Sequence, residues 1–257
     1  MRFRIIPILL LKNSGLYKGV SFKDHKYVGD PINAIKIFNE KEVDELVFLD
    51  ITASNDGKEP NLQILRDIAS ECFMPLGYGG GINSLEMIRE ILNVGIEKAI
   101  LNTQAIRNPK LITDAVNYFG SSTIVASIDA KKNFFGKYQV FINSGLEKTN
   151  LNPVEWAKEL ERLGVGEIII NSIDRDGTMK GYDFDLIKAV THAVKVPVIA
   201  AGGASGLNDF VEACKLHGAS AAAAGAQFIF QGKYRAVLIT YPNQLDIQKA
   251  FSSYEKN

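Results

Sequence analysis

The sequence is poor in cysteine, tryptophan and histidine, with two, one and three of these residues among 257. Two cysteines provide no disulfide framework, and Cys72 and Cys214 each lie in an apparently helical run, which is typical of reduced, packed thiols. His25, His192 and His217 have no metal-ligand spacing, and we interpret them as ordinary loop or surface residues. We therefore predict a cytoplasmic protein with no metal and no other cofactor.

The sequence also lacks an excess of either charge and any long apolar run. Its 29 basic residues balance 29 acidic ones, so no overall field attracts nucleic acid or an anionic membrane. The apolar stretch IIPILLL, from Ile5, is too short to cross a bilayer and predicts a buried first strand. These absences argue against nucleic acid and membrane partners, and any anion site must be built locally.

What the sequence does contain is an alternation of short apolar runs with amphipathic stretches of helical length, which is typical of repeated βα units. The predicted strands are IIPILLL, ELVFLDI, MPLGYG, KAILNT, TIVASIDA, EIIINSI, VPVIAAGG and SAAAAGA. The predicted helices are DPINAIKIFNEK, NLQILRDIASEC, SLEMIREILNVG, NPKLITDAVNYFG, NPVEWAKELERLG, DFDLIKAVTHAV and GLNDFVEACKLHG. Without a linker between the units, this pattern predicts an α/β fold, a single (β/α)8 TIM barrel domain spanning residues 1–257.

A fixed spacing between similar segments divides the predicted barrel into two halves. The residue pairs that share one offset are Glu45 and Glu167, Pro75 and Pro197, Gly80 and Gly202, and Gly81 and Gly203. The offset is common to strand starts and glycine turns. It therefore predicts two similar half-barrels.

Glycine-rich turns follow predicted strands three and seven, at the end of the barrel where such folds bind ligands. Glycine lets an anion approach the backbone N–H groups closely, so one turn in each half predicts a small-molecule ligand with two phosphates. The residues predicted to bind it are Gly80, Gly81, Asn102 and Thr103 in one half and Gly202, Gly203 and Gly225 in the other. The polar loop SIDRDGT adds Asp176 and Gly177 on the same face.

Longer motifs resemble one known family. They are LVFLDITAS, GGGI, IDAK, EWAKE, SIDRDGTMKGYD and PVIAAGGA, and the resemblance runs from about Arg4 to Phe230. On these residues the chain resembles the cyclase subunit of imidazole glycerol phosphate synthase, an enzyme of histidine biosynthesis. The resemblance implies that ammonia from a glutaminase subunit crosses the barrel and reacts with a bis-phosphorylated ribulosyl imidazole-carboxamide nucleotide. The products are imidazole glycerol phosphate and an aminoimidazole carboxamide ribotide.

The family's reaction uses two aspartates, at the ends of strands one and five, as general base and general acid. By resemblance, Asp129 in SIDAK is the strand-five aspartate and the catalytic residue. Leu10 stands where the strand-one aspartate belongs, and leucine neither accepts nor donates a proton. The resemblance also implies Lys18, in the first loop, and Asp50, at the end of FLD, as ligand contacts.

Other positions also depart from the family pattern. Tyr78 replaces a small aliphatic residue, Asn171 replaces a threonine, and Ile100 and Ala201 replace serines. We expect all four at strand ends or inside the barrel, so together with Leu10 they predict a cavity reshaped for a different occupant. The tail differs as well, because AVLITYP predicts an extended segment where the family has a plain final helix.

Four charged residues directly precede predicted strands and match the family in sign and position. They are Arg4, Glu45, Lys98 and Glu167. In the family this ring is the gate through which ammonia enters at the N-terminal face of the barrel. Its retention predicts an ammonia gate here and a glutaminase subunit that binds at this face as a heterodimer.

Several functions remain open at this point. We favour a paralogue that delivers ammonia, with a separate sugar amidotransferase, to make an acetamidino group on a sugar of lipopolysaccharide or another surface polysaccharide. The alternatives are a genuine cyclase subunit of histidine biosynthesis and a non-catalytic ammonia conduit and scaffold. A phosphoribosyl isomerase barrel ranks last, because it too needs an aspartate at position 10. The first loop, KDHKYVGDP, stays open between a mobile lid and an ordered flap.

Overall fold

Eight parallel strands close into a barrel in the structure, a computed structural model that describes residues 3–254. The ends of the predicted range 1–257 therefore lie outside the described residues. In chain order the strands are β1 (Arg4–Lys12), β2 (Gly15–Val20), β3 (Lys23–Gly29), β4 (Leu46–Asp50), β5 (Leu76–Gly79), β6 (Lys98–Leu101), β7 (Ile124–Lys132), β8 (Tyr138–Ile142), β9 (Glu147–Lys148), β10 (Glu167–Ser172), β11 (Val198–Ala201), β12 (Ala221–Ala224), β13 (Phe230–Gln231) and β14 (Ala236–Val237). The barrel order is β1, β4, β5, β6, β7, β10, β11, β12 and back to β1, which confirms the predicted (β/α)8 fold.

Helices follow the barrel strands, and the longer ones cover the outer face of the barrel. They are α1 (Pro31–Glu40), α2 (Ala53–Asp56), α3 (Leu62–Glu71), α4 (Leu85–Asn93), α5 (Thr103–Arg107), α6 (Lys110–Phe119), α7 (Pro153–Leu163), α8 (Phe184–Thr191), α9 (Leu207–Lys215), α10 (Ala226–Ile229) and α11 (Gln244–Ser253). All seven predicted helices form. Polar side-chain caps start five of them, α1, α3, α4, α7 and α8, as when the Ser84 hydroxyl accepts a hydrogen bond from Met87 N at 3.2 Å. Both cysteines are free thiols, Cys214 within α9 and Cys72 directly after α3. Across residues 3–254, no helix combines the length and apolarity needed to span a bilayer.

The two halves of the barrel repeat the offset seen in the sequence. α1 and α7 begin at Pro31 and Pro153, and each follows a side-chain cap, Asp30 or Asn152. The same spacing relates α3 to α8, α4 to α9 and β5 to β11. A hairpin strand also pairs with the first strand of each half, β2 with β1 and β8 with β7. The predicted half-barrel duplication is therefore confirmed.

Two β-hairpins extend over the C-terminal end of the barrel. β2 pairs with β1 and with β3, so the first loop is an ordered flap. Ser21, at the tip of this flap, donates its backbone N–H to the Asp176 carbonyl at 2.8 Å. Phe22 lies against the second hairpin, where a Cβ on Gly145 would come within 2.8 Å of its ring. The two hairpins therefore meet above the barrel mouth.

The tail contains the predicted extended segment, and it also ends in a helix. β13 and β14 form a short hairpin, and after it the chain runs without regular structure to α11. Tyr241 donates its hydroxyl to the Ile5 carbonyl at 3.0 Å, and Phe251 stacks on Phe3. The tail is thereby fixed to the N-terminal end of β1. The expectation that it replaces the family's final helix is wrong, because α11 follows the extended segment.

Apolar side chains form two layers, one between helices and barrel and one inside the barrel. Along β5 the side chains alternate, so Gly79 faces the interior cavity and Tyr78 packs in the outer layer. The expectation that Tyr78 reshapes the cavity is therefore wrong. Ile100 and Ala201 do lie in the inner layer, as expected.

Candidate functional site

A cavity of about 310 Å³ lies at the C-terminal ends of the barrel strands, under the two hairpins. It brings together most of the site residues predicted from the sequence. Those in its wall are Lys18, Asp50, Gly80, Gly81, Asn102, Thr103, Asp129, Asp176, Gly202 and Gly225. Two other predicted contacts, Gly177 and Gly203, are absent from this wall in the described part of the chain.

Asp129 lies near the end of β7 in the cavity wall, and 9% of the residue is exposed. The amides of Asn102 and Asn171 donate hydrogen bonds to Oδ2 and Oδ1 of its carboxyl, each at 3.2 Å. Burial raises the pKa of Asp129 to about 7, although the hydrogen bonds of Asn171 and Ser127 act in the opposite direction. The negative charge of Asp176 adds to the rise. A carboxyl with this pKa can accept or donate a proton at neutral pH, as acid–base chemistry requires.

Leu10 occupies the cavity wall across the barrel from Asp129. In the closed strand order β1 and β7 stand diametrically opposite each other. Leu10 is 8% exposed, lines the same cavity and is in register with Leu49 of β4, which also lines it. The wall that faces the Asp129 carboxyl is therefore apolar at this level.

A buried ion pair crosses the cavity mouth between Lys18 of β2 and Asp176 of the loop after β10. Lys18 Nζ lies 2.8 and 3.0 Å from the two carboxylate oxygens, and Lys18 is 4% exposed. The same ammonium lies beside Gly225, where a Cβ would be 3.2 Å from Nζ. The pair therefore ties the first hairpin to the opposite rim and places a cation next to the second predicted phosphate turn.

The turns after β5 and β11 have backbone conformations that favour glycine. Gly80 has a φ of 124° and Gly202 a φ of 82°, in the region that other residues rarely adopt. A Cβ on Gly80 would lie 2.6 Å from the Asp50 carbonyl, and one on Gly202 would lie 2.4 Å from Asn171 Oδ1. The two turns occupy equivalent places in the two halves. Phosphate binding there stays a prediction.

Three predicted ligand contacts have evident structural roles. Asp50 Oδ1 accepts hydrogen bonds from N and Oγ1 of Thr52 at 2.8 and 2.9 Å, which closes the turn before α2. A Cβ on Gly177 would lie 2.1 Å from the Gly19 carbonyl, so this glycine permits the close approach of the first hairpin. Gly203 accepts a backbone hydrogen bond from the loop after β10 at 2.9 Å. Contact of these residues with a ligand stays a prediction.

The cavity also contains ionisable residues that the sequence did not single out. His25 of β3, interpreted from the sequence as an ordinary loop or surface residue, lines the cavity because the hairpin folds over it. Burial and the neighbouring charge of Lys18 lower the pKa of His25, which favours the neutral form of its ring. Lys58 and Arg107 line the cavity as well. In the sequence, the only signal for the position of His25 is that successive side chains of KDHKY alternate between the two faces of a strand. This alternation does not show which face lies against the barrel.

The four predicted gate residues form a closed ring of ion pairs at the N-terminal mouth. Arg4 lies 2.5 Å from Glu45 and also pairs with Glu167, and Lys98 lies 2.9 Å from Glu45 and 2.7 Å from Glu167. Burial alone would raise the pKa of Glu167, but hydrogen bonds and charges from Arg4 and Lys98 lower it below its ordinary value. The structure therefore brings the four predicted residues together, and their action on ammonia stays a prediction.

An apolar layer separates this ring from the cavity. Its members come from most of the barrel strands, and those on β12 are both alanine. They are Ile6, Val47, Ile100, Val125, Ile169, Ile199, Ala201, Ala221 and Ala223. The barrel thus has a charged end, an apolar interior and a polar end.

A closed parallel barrel with a buried carboxyl in a cavity at its C-terminal face has the arrangement of TIM-barrel enzymes. A family model described as histidine biosynthesis protein matches residues 4–235. The chain belongs to this family.

Proteins similar to the chain include several synthase subunits. It is 51% identical over 249 residues to a Pseudomonas aeruginosa protein provisionally named imidazole glycerol phosphate synthase subunit hisF2, with 96% of this chain and 99% of that protein covered. It is 47% identical over 251 residues to a Vibrio vulnificus protein provisionally named subunit hisF3, covering 97% and 96%. It is 42% identical over 225 residues to imidazole glycerol phosphate synthase subunit HisF of Alkaliphilus metalliredigens, covering 88% and 89%. The family resemblance inferred from the motifs is confirmed.

Proposed function

We propose that this chain is a cyclase-type barrel subunit of an amidotransferase complex that serves surface-polysaccharide synthesis. A separate glutaminase binds at the ring of Arg4, Glu45, Lys98 and Glu167 and releases ammonia, which crosses the apolar interior to the cavity. A separate ligase-like sugar amidotransferase then uses this ammonia to convert an acetamido group into an acetamidino group, and the amide oxygen leaves as water. The acceptor therefore differs from that of histidine biosynthesis.

The observation that carries this proposal is the apolar side chain of Leu10 opposite Asp129. The family's cyclisation uses a second carboxyl at that strand end. Loss of one acid–base group lowers a rate by roughly 10² to 10⁴. Leucine cannot replace this carboxyl, so its presence argues that the chain is not selected for the family's own reaction.

Two further features favour a different acceptor. Ile100 and Ala201 give the cavity wall apolar side chains where the family pattern has hydroxyl groups. Two relatives carry the numbered names hisF2 and hisF3, as additional copies do. Both features support a paralogue that keeps the barrel and changes the substrate.

The proposed ligand and partner are supported at opposite ends of the barrel. Lys18 supplies a buried cation beside Gly225, and the equivalent glycine turns suit a phosphorylated small molecule. The ring of ion pairs suits a gate under a docked glutaminase, because it closes the mouth with charges that a partner could rearrange. Ammonia released by the partner then reaches the cavity through the barrel interior.

The second candidate is the family's own reaction in histidine biosynthesis. It is favoured by Asp129, Lys18, Asp50 and Asp176, which all line the cavity, and by the similarity to HisF of Alkaliphilus metalliredigens. A non-catalytic conduit and scaffold ranks below it. A conduit has no need of a buried carboxyl such as that of Asp129 at a strand end.

Deletion of the gene in its own host separates the first two candidates. We expect the deletion strain to grow without histidine and to lose the acetamidino group from its surface polysaccharide, as read by mass spectrometry. Restoration of the group by the wild-type gene is the control. Histidine auxotrophy with unchanged polysaccharide would instead establish the second candidate.

Turnover of the family substrate with ammonium tests the chemical argument directly. We expect the wild-type protein to be inactive and Leu10→Asp to gain cyclase activity, whereas Leu10→Asn, of the same shape but without a titratable group, stays inactive. A gain of roughly 10² or more fits the acid–base contribution. Efficient turnover by wild type that Asp129→Asn abolishes would make this a working cyclase.

A further inference from the structure

The two strands that flank β7 each contribute an asparagine to the Asp129 carboxyl. Asn171 is the Cα partner of Asp129 in the β7–β10 ladder, and Asn102 directly follows β6. Each donates its amide to a different carboxyl oxygen at 3.2 Å, and Asn102 also donates to the Ser127 carbonyl at 2.9 Å. The carboxyl is therefore held from both sides, with an amide donor on each oxygen.

The orientation of the Asn171 amide is determined by the Asp129 carboxyl. Its Oδ1 is buried against Gly202 and has no hydrogen-bond partner among residues 3–254. An unpaired buried acceptor is unfavourable, because it has lost its hydrogen bonds to water and gained none in the protein. Turning the amide over would bring Oδ1 against a carboxyl oxygen of Asp129, and two acceptors repel each other. Asn171 therefore leaves one atom unpaired and keeps its N–H on the carboxyl, a contact that is strongest when the carboxyl is ionised.

We propose that Asn102 and Asn171 are positioning residues that stabilise the ionised form of Asp129 and aim its carboxyl into the cavity. Burial favours the protonated carboxyl, which could donate a proton but not accept one. The two amides offset part of this effect, so both forms are accessible near neutral pH. Asp176 acts on Asp129 from the loop after β10 in the opposite sense, and Lys18 pairs with that charge. This inference rests on the part of the proposed function that makes the barrel more than a conduit, with Asp129 as its acid–base residue.

Titration of the Asp129 carboxyl by carbon-13 NMR, in the full-length protein with labelled aspartate, tests the proposal. Asn171→Leu and Asn102→Leu each remove one donor while nearly keeping its shape. We expect each to raise the proton affinity of Asp129 about tenfold, and the double variant to raise it further. Asn83→Leu is the matched control, because Asn83 is another amide of the cavity wall but is exposed, on the loop after β5. It should leave the titration unchanged.

A proton affinity that is unchanged or lower in both leucine variants overturns the proposal. If circular dichroism shows that these variants do not fold, Asn171→Ala and Asn102→Ala remove the same donors with less crowding. A smaller rise in proton affinity then supports the proposal, and no rise overturns it. The titration needs neither acceptor nor glutaminase, so its failure is distinct from failure of the proposed function.

Discussion

Among single residues, Asp129 makes folding stability depend on pH. Its pKa is about 7 in the folded protein against an ordinary value of 3.8, so the folded state holds this proton more tightly. Its favourable contribution is complete below the lower value and is lost as the pH rises through the higher one. Asp129→Asn removes this dependence. We expect it to be more stable than wild type at pH 8 by on the order of 2–4 kcal/mol, and about equal at pH 4, in urea unfolding.

An exposed aspartate provides the comparison for this measurement. Asp67 lies on the outer face of α3, and Asp67→Asn should change stability by less than about 0.5 kcal/mol at either pH. A difference between wild type and Asp129→Asn that is the same at pH 4 and pH 8 would contradict the argument. The carboxyl would then not be titrating between them.

Among elements, the hairpin β2–β3 depends on one ion pair to stay closed over the cavity. Lys18→Met leaves Asp176 partly buried without its cation, while the backbone contact of Ser21 remains. We expect amide hydrogen exchange across residues 15–29 to speed up about tenfold, measured by mass spectrometry. Lys58→Met, which breaks an exposed pair with Asp56, should leave that exchange unchanged. Unaltered exchange in Lys18→Met would mean that backbone and Phe22 contacts alone hold the hairpin.

Strands and helices with a regular apolar period could be predicted from the sequence. The hairpin that extends from the barrel over the cavity could not. The barrel strands and their helices follow from local periods and caps. The first hairpin escaped prediction because KDHKYVG is short and mostly exposed, so its pairing depends on tertiary contacts. In the site, Asp129 and Leu10 were identified by the family resemblance, whereas the placement of Tyr78 and His25 required a register that a shift of one residue reverses.

Over the whole molecule, the duplicated halves share a framework and differ in chemistry. The first strand of each half pairs with its own hairpin, and there Leu10 faces Tyr17 in register while Asp129 faces Phe141. The framework alone therefore does not determine the reaction. The first strand of one half carries the Asp129 carboxyl in the cavity wall, and the first strand of the other half carries the apolar Leu10. The N-terminal ring lies at the other end of the same interior, so the cavity and the ring can be altered separately.

The ring of ion pairs at the N-terminal mouth contributes to the stability of the fold. Lys98→Met leaves Glu45 and Glu167 with Arg4 as their cation, and we expect a loss of on the order of 2 kcal/mol at pH 7. The pKa of Glu167 is depressed, so its contribution is present above the ordinary value of 4.5 and is lost as the pH falls through the lower folded value. The loss of unfolding free energy in Lys98→Met, measured by urea unfolding, should therefore become smaller in acid.

Lys158→Met is the control, because it breaks an exposed pair with Glu155 and should cost less than about 0.5 kcal/mol. A deficit that is constant with pH would show that Lys98 acts through packing, and the ring would then lack the charge balance that a gate requires.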